Sequence, residues 1–500
     1  MLAFIRNAVV LQILILAAVV SWVHGGTRPD LLIPTVPWLT LLVIEMALVF
    51  PQAKSTETLS EARLRVWRSL VRDPLLYMAI LLTIYLSIPL FNAAGAPRFL
   101  NASGKWFIPF PPFRRLPFCV KADEQAVLLL WFVPSLFSAL AARHALLKRG
   151  KRLLLEGLCW NGALLSAFGY WQLFTGAKSV YWGKQTFAYF FSTFGYPNFA
   201  GAFFTLLFLI SLGLWFGHVS VGLIGPQAGN FARARDDRKF WTRHRMLFAM
   251  FFNLMGALGS LSRAAILLSV LLGVVYGIYM FIGSWQHAGT GKRTVLLTTV
   301  GLVVFIGVLS FTILAPASFK KEIVTITPES VLDRVSGAGY HPRVAWDIFR
   351  DYPLFGVGGW GYPHYQRIYM QAEDFKHFQT VGGVNVHNDF LQFLAELGGV
   401  GTGLVILTVF CLVIPAILEQ IKLSKYLSQP RENESKVPHP KWLYKIPPEE
   451  LGVWFGCTAT VLHSLGDLPF RTSSIQIVWF CALACVSGFI PKDHHTSSLQ

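Results

Sequence analysis

His387 opens the run HNDFLQFLAELGG, residues 387–399, and is the side chain in this sequence best suited to chemistry. An imidazole changes charge between about pH 5 and 8, so it can take and return a proton near neutrality. Asn388 and Asp389 are good cap and first-turn residues, and Phe390, Leu391, Leu394 and Leu397 then share one helical face. The spacing predicts a short helix that starts just after His387 and breaks at GGVGTG, residues 398–403. A second chemistry is available to arginine, whose planar donors bind phosphate oxygens in pairs and stay charged at any working pH. Arg263 closes the run GSLSR at 259–263, and Arg343 and Arg350 lie in YHPRVAWDIFR at 340–350. Arg263 and Arg343 could each hold a phosphate or act as an interfacial anchor on lipid headgroups. Asn198, in FGYPNFAGAFF at 194–204, could position a substrate or cap the helix that follows. His463 and Asp467 are four residues apart and touch only if a helix runs through both, whereas Pro469 favours a helix end near Gly466.

These residues must be positioned by membrane helices. Of the 500 residues, 54% are hydrophobic and 14% charged, outside the range of a soluble globular chain. Apolar runs long enough to cross a hydrocarbon core of roughly 30 Å recur along the sequence. The expected spans are 4–23, 31–50, 74–92, 126–142, 153–174, 198–216, 246–261, 264–283, 294–315, 399–418, 451–465 and 473–490. The expected fold is therefore all-α: a polytopic bundle of about twelve transmembrane helices forming one membrane domain over residues 1–500. The nearly continuous apolar stretch 246–282 is too long for one crossing, so GSLSR is read as a tight hairpin. The first span lacks a small-x-small cleavage site and is followed closely by a second, so it is read as an anchor.

The net charge of +17 does not point to nucleic acid, because the basic residues form compact loop clusters. Arg63, Arg65, Arg68 and Arg72 form one, Arg143, Lys148, Arg149, Lys151 and Arg152 a second, and Arg233, Arg235, Arg238, Lys239, Arg243 and Arg245 a third. The positive-inside rule then places both termini in the cytoplasm, and the clusters suit membrane lipids of negative charge. In this topology Arg263, Arg343, Arg350, His387, His463, Asp467 and Arg471 collect at the outer boundary. Charged groups are costly there unless paired or functional, so they outline an outward-facing site. The largest exterior segment, 316–386, lies between the ninth and tenth spans and is expected to be partly helical; within 340–350, Val344, Ile348 and Trp346 share a near-helical spacing. The segment 93–125, with Trp106, Phe107, Phe110 and Phe113 among its prolines, reads as an aromatic interfacial cover. Five of the six cysteines lie in or beside spans and only Cys119 in an exterior loop, so no external disulfide framework is expected. AGTGKRT at 288–294 fails as a phosphate loop, since Gln286 stands where the first glycine belongs and Arg293 replaces Ser or Thr. No metal-ligand spacing is present, and no cofactor is expected.

The run from His387 through Asn388 and Asp389 to Glu396 and Gly398 resembles the signature of the bacterial O-antigen ligase and polysaccharide polymerase family. Ser262-Arg263-Ala264 resembles its serine-arginine step, and Arg343 with Trp346, followed by Gly356-Val357-Gly358, resembles its Arg-x-x-Trp element and glycine turn. The resemblance covers roughly residues 190–490, with weaker agreement in HGGTRP at 24–29. It implies a glycosyltransferase in the bacterial inner membrane, acting on its outer face. The donor would be a glycan on polyprenyl (undecaprenyl) pyrophosphate, and the acceptor a lipid or glycan hydroxyl such as lipid A core. His387 is the implied general base; Arg263, Arg343, Asn198 and Asn388 would bind pyrophosphate and glycan, with Glu396, His463 and Asp467 in support. The expected reaction is inverting and metal-independent, with arginines in place of a divalent cation. Polymerisation of repeat units and transfer to protein hydroxyls are alternatives within the family. A transporter or lipid-glycan flippase is the alternative of another class. It would place charge near the bilayer midplane or repeat its halves; here Lys and Arg can all be assigned to loops or boundaries, Glu45 is the main acidic residue within a span, and no repeat is visible.

Overall fold

Short local signals set several helix starts. In TLSE, Thr58 Oγ1 accepts from the Glu61 N–H (3.3 Å) and Glu61 Oε2 accepts from the Thr58 N–H (2.7 Å), a reciprocal cap on Leu59–Leu70. Asp73 caps Pro74–Ser87 by accepting from the Leu75 N–H (3.0 Å), with Pro74 at a position whose N–H has no helical partner anyway.

The computed structural model describes residues 7–100, 105–183, 189–224, 237–287, 340–371, 373–374, 385–427 and 446–486. In chain order its principal helices are α1 (Ala8–Trp22), α2 (Val36–Val49), α3 (Leu59–Leu70), α4 (Pro74–Ser87), α5 (Ala122–Ala145), α6 (Lys148–Phe174), α7 (Pro197–Ile224), α8 (Asp237–Gly259), α9 (Arg263–His287), α10 (His341–Asp351), α11 (Tyr362–Tyr369), α12 (Asp389–Leu427), α13 (Pro448–His463) and α14 (Ser473–Val486). Strands β1 (Arg98–Leu100) and β2 (Lys105–Phe107) pair antiparallel within the aromatic segment, a small hairpin the all-α expectation did not include. Phe107, Phe110 and Phe113 on and after it are exposed.

Among the described residues five helical stretches are long and apolar enough to cross a membrane: Pro74–Phe91, Ala122–Ala145, Pro197–His218, Arg263–Ile282 and Asp389–Ile421. The other apolar helices α1, α2 and α14 are shorter, about 21–23 Å at 1.5 Å per residue, so a count of about twelve crossings is not established. Every expected span falls on a helix except 294–315, which lies outside the described residues together with 316–339 and 375–384 of the large loop. GSLSR is a turn, with α8 ending at Gly259 and α9 starting at Arg263, as the length argument required.

The chain divides into two units. One comprises Met1–Ala145, Thr325–Leu412 and Val461–Phe480; the other comprises Leu146–Val324, Val413–Thr460 and Cys481–Gln500. In the first, α1 to α4 each pack on α5. A separate core formed by Val344, Ile348, Val357, Tyr362, Tyr365 and Ala395 joins α10 and α11 to the start of α12. Within α10, Val344 and Ile348 are buried but Trp346 is exposed, so the expected apolar face is narrower than its spacing suggested.

In the second unit α8 packs on α6 and α7, and α9 on α7. Helices α7 and α13 meet at glycines. A Cβ on Gly213 would lie 2.8 Å from the Gly452 Cα, a backbone approach typical of apolar helix pairs. Asn253 ties α8 to α6 by donating to the Cys159 carbonyl (3.0 Å). All six cysteines are free.

Candidate functional site

The short helix expected after His387 is present and turns its polar side inward. Asn388 caps it, accepting from the Leu391 N–H (3.1 Å). At Gly398 the backbone leaves helical geometry (φ 62°, ψ −172°), so α12 breaks where the glycine run begins. Along the segment Asp389, Gln392 and Glu396 are buried, whereas Phe390 is exposed and Leu391 and Leu394 are half-buried. The helix therefore directs its polar side chains into the protein beside Phe393, Ala395 and Leu397, and leaves Phe390 outermost.

His387 itself is half-exposed and has φ 57°, in the left-handed region that non-glycine residues seldom occupy. Its Nδ1 lies 3.9 Å from Oδ1 of Asp467, whose side chain is only 2% exposed. That separation makes an ion-pair contact and is too long for a good hydrogen bond. Burial pushes the Asp467 carboxyl up, but the nearby His387, the charge of His463 and the Leu468 N–H together hold it below the usual carboxylate range. Asp467 thus remains an anion facing an imidazole that solvent can reach. A second imidazole, on His341 at the start of α10, has its ring centre 6.1 Å from that of His387. Its Nδ1 is 2.8 Å from Tyr362 Oη, a hydroxyl that burial pushes far above its ordinary value and so keeps protonated.

Two motifs distant in sequence interlock beneath this pair. The Val357 and Gly358 N–H groups donate to the Ala395 and Glu396 carbonyls (3.0 and 2.8 Å). A Cβ on Gly356 (φ 66°) would come within 2.4 Å of the Glu396 backbone, and one on Gly398 within 2.4 Å of the Leu354 carbonyl oxygen. The glycine turn and the Glu-x-Gly step are therefore two sides of a single backbone crossing that excludes side chains. The Glu396 side chain is fully buried. Its Oε2 accepts from Arg471 Nη2 (2.5 Å) and the Trp360 N–H (3.2 Å), and its Oε1 from Gln392 Nε2 (3.0 Å). The rings of Trp131, Trp360 and Phe393 stand 5.2–5.6 Å from the Arg471 guanidinium.

The structure sets His387 against Asp467, ties Asn388 to Leu465 of the same loop, and joins Glu396 to that loop through Arg471. His463, the last residue of α13, is buried and adds its charge to the surroundings of Asp467, but the helix stops there, as Pro469 suggested. Arg343 lies two residues beyond His341 on α10, where it bonds to Asp374, approaches Asp347 (3.6 Å) and donates to the Tyr369 carbonyl (3.4 Å). Any anion that Arg343 takes must compete with Asp374. Arg350 is largely exposed, 4.0 Å from Asp347. Arg263 and Asn198 belong to the other unit: Arg263 begins α9 directly after a turn in which Leu261 has φ 59°, and Asn198 donates to Tyr196 Oη (2.9 Å) near the start of α7. Gln392 escaped the sequence reading. Its signal was present, a polar residue four positions before Glu396 on one helical face. Among the described residues no group of three or more His, Cys, Asp or Glu side chains is arranged to hold a metal.

Residues 248–406 match the O-antigen ligase family model, a segment that includes Arg263, Arg343, His387, Asn388 and Glu396. No curated protein matches the chain. The family match bears out the resemblance drawn from the sequence. Together with the five apolar helices it marks an integral membrane protein. It supports membrane glycosyltransfer of the O-antigen ligase or polymerase type.

Proposed function

From the O-antigen ligase family of residues 248–406 as premise, we propose that the chain moves a glycan from polyprenyl pyrophosphate to an acceptor hydroxyl on the outer face of the bacterial inner membrane. The observation that carries this reading is the half-exposed His387 imidazole, set on left-handed backbone against the buried Asp467 carboxylate. With Nδ1 turned to Asp467, Nε2 is the nitrogen left to accept a proton. A sugar hydroxyl is a weak nucleophile that loses its proton as it attacks, so a base titrating near working pH assists it. The hydroxyl oxygen bonds to the anomeric carbon as the bond from that carbon to the pyrophosphate oxygen breaks. The hydroxyl proton passes to His387, the bonding pair leaves with pyrophosphate, and the anomeric configuration inverts.

Arg343 is assigned to the pyrophosphate, whose charge grows as it leaves, and the family resemblance gives Arg263 the same role; fixed donors stabilise such charge most in a partly dry site. Asp374 acts as a stand-in anion on Arg343 until donor binds. Asn388 and Asn198 are assigned to glycan contacts. No step requires a metal, and EDTA should leave the rate unchanged. Orientation is tested separately: in a background without reactive native thiols, a cysteine at exposed Trp346 should react with an impermeant reagent from outside, and one at Arg68 should not.

The deciding experiment is transfer in vitro from a defined polyprenyl-pyrophosphate glycan to candidate acceptors, comparing wild type with His387→Ala. The variant should insert and bind donor yet fail in transfer. Near-wild-type transfer by folded His387→Ala across pH 6 to 8 would refute the assignment of the base. The product separates the alternatives, with lipid A core, a second lipid-linked repeat or a protein hydroxyl as acceptor; donor translocation without bond formation would indicate a flippase.

A further inference from the structure

Gln392 is fully buried one helical turn before Glu396, and its amide has its orientation dictated by its neighbours. Oε1 accepts from the Val386 N–H (2.9 Å), which requires an acceptor, while Nε2 donates to Glu396 Oε1 (3.0 Å), which requires a donor. Nε2 also reaches Asn385 Oδ1 (3.2 Å). A glutamate here would set one carboxylate against another, and an asparagine is one methylene short. The two residues so held immediately precede His387. On its other side, Asn388 Nδ2 donates to the Leu465 carbonyl (2.9 Å) and the Asp389 N–H to the Ser464 carbonyl (3.1 Å), fastening the chain to the loop that carries Asp467. The far end of that loop is fastened by Phe470 N–H to Asp389 Oδ2 (2.9 Å) and by Arg471 to Glu396.

We propose that Gln392 is a positioning residue for His387: it clamps the backbone ahead of the imidazole and, through Glu396 and Arg471, links that clamp to the loop bearing Asp467. A left-handed histidine persists only when its surroundings over-determine it, and these bonds supply that constraint. Gln392 touches neither a reacting atom nor the imidazole. Its catalytic meaning rests on the reading of His387 as base, but its mechanical effect can be measured without transfer.

The test is the rate at which diethyl pyrocarbonate modifies His387, followed by peptide mass spectrometry on detergent-purified protein. Gln392→Met keeps the volume and removes the amide. It should change the rate on the order of 3- to 10-fold relative to wild type, and the effect of Asp467→Asn should shrink in its presence, since coupled residues are not additive. In transfer it should lower kcat with little change in donor KM. Wild-type modification by Gln392→Met, or effects of Gln392→Met and Asp467→Asn that simply multiply, would overturn the proposal. If Gln392→Met does not fold, Arg471→Lys is the second variant, expected to move the rate in the same direction by less; an unchanged rate there overturns the proposal equally. The two readings fail separately. Coupled modification with active His387→Ala removes the base and leaves the clamp, whereas inactive His387→Ala with uncoupled modification does the reverse.

Discussion

Two buried carboxylates, one in each unit, show why a cluster of charge does not by itself mark chemistry. Glu156 on α6 meets His218 (3.1 Å), Arg245 (2.5 Å) and Arg152 (3.5 Å), and Arg152 also reaches Glu449 (3.5 Å). Both arginines are open to solvent, with side chains 31% and 45% exposed for Arg152 and Arg245. Among the described residues Glu396 pairs with one cation, Arg471, whose side chain is 1% exposed, and its bond from Gln392 leads toward His387. The first arrangement is a network in which two arginines and a histidine share one anion. The second is a dry pair wired to a strained, half-exposed imidazole. Strain and exposure beside a buried anion, more than charge density, separate the candidate site from a structural hub.

That distinction is broken most directly at His387. His387→Ala should lower transfer on the order of 10²–10⁴-fold, while no substitution at the Glu156 hub should do so without also unfolding the protein. His387→Gly should lose the same activity and unfold no earlier than His387→Ala, since glycine takes the left-handed backbone without strain. Next in size is the cost of breaking the dry pair. Arg471→Ala should destabilise the protein by about 3–5 kcal/mol in chemical or thermal unfolding, because it strands a buried carboxylate, and Arg471→Met combined with Glu396→Leu should recover much of the loss. Failure of the double substitution to recover would assign the cost to the aromatic packing around Arg471.

Acid sensitivity gives a smaller effect whose sign is defined. The Asp467 carboxyl lies below its usual value in the folded protein, so the stability it contributes is present above the unfolded value of about 3.9 and disappears as pH falls through the lower folded value. Asp467→Asn should flatten that acid limb, measured as unfolding midpoint against pH; superimposable limbs would show the carboxylate to be uncoupled from folding. Smallest is the hub in the other unit. Arg245→Ala should cost no more than about 1 kcal/mol, since its arm is nearly half in solvent and Arg152 and His218 remain beside Glu156. A cost equal to that of Arg471→Ala would erase the difference between the two regions.

Much of this was legible along the chain, because the governing interactions are local. The membrane character follows from apolar runs, the break between α8 and α9 from a length no bilayer accommodates, and the helix after His387 from a cap and a glycine stop a few residues apart. α10 was likewise expected from the spacing of Val344 and Ile348, although the exposure of Trp346 was not. The family match over residues 248–406 bears out the resemblance drawn from the sequence. What tertiary structure alone decided depends on residues brought together from far apart. Asp467 meets His387 across 80 residues, Arg471 meets Glu396 across 75, and Gly356 fits against the Glu396 backbone because it carries no Cβ at the crossing. Nor could spacing say which face of the 389–397 helix turns inward. An amphipathic pattern has two sides, and only the buried amide of Gln392, the Arg471 guanidinium and the Asp467 carboxylate fix the polar one against the protein, since each needs partners that lipid does not offer.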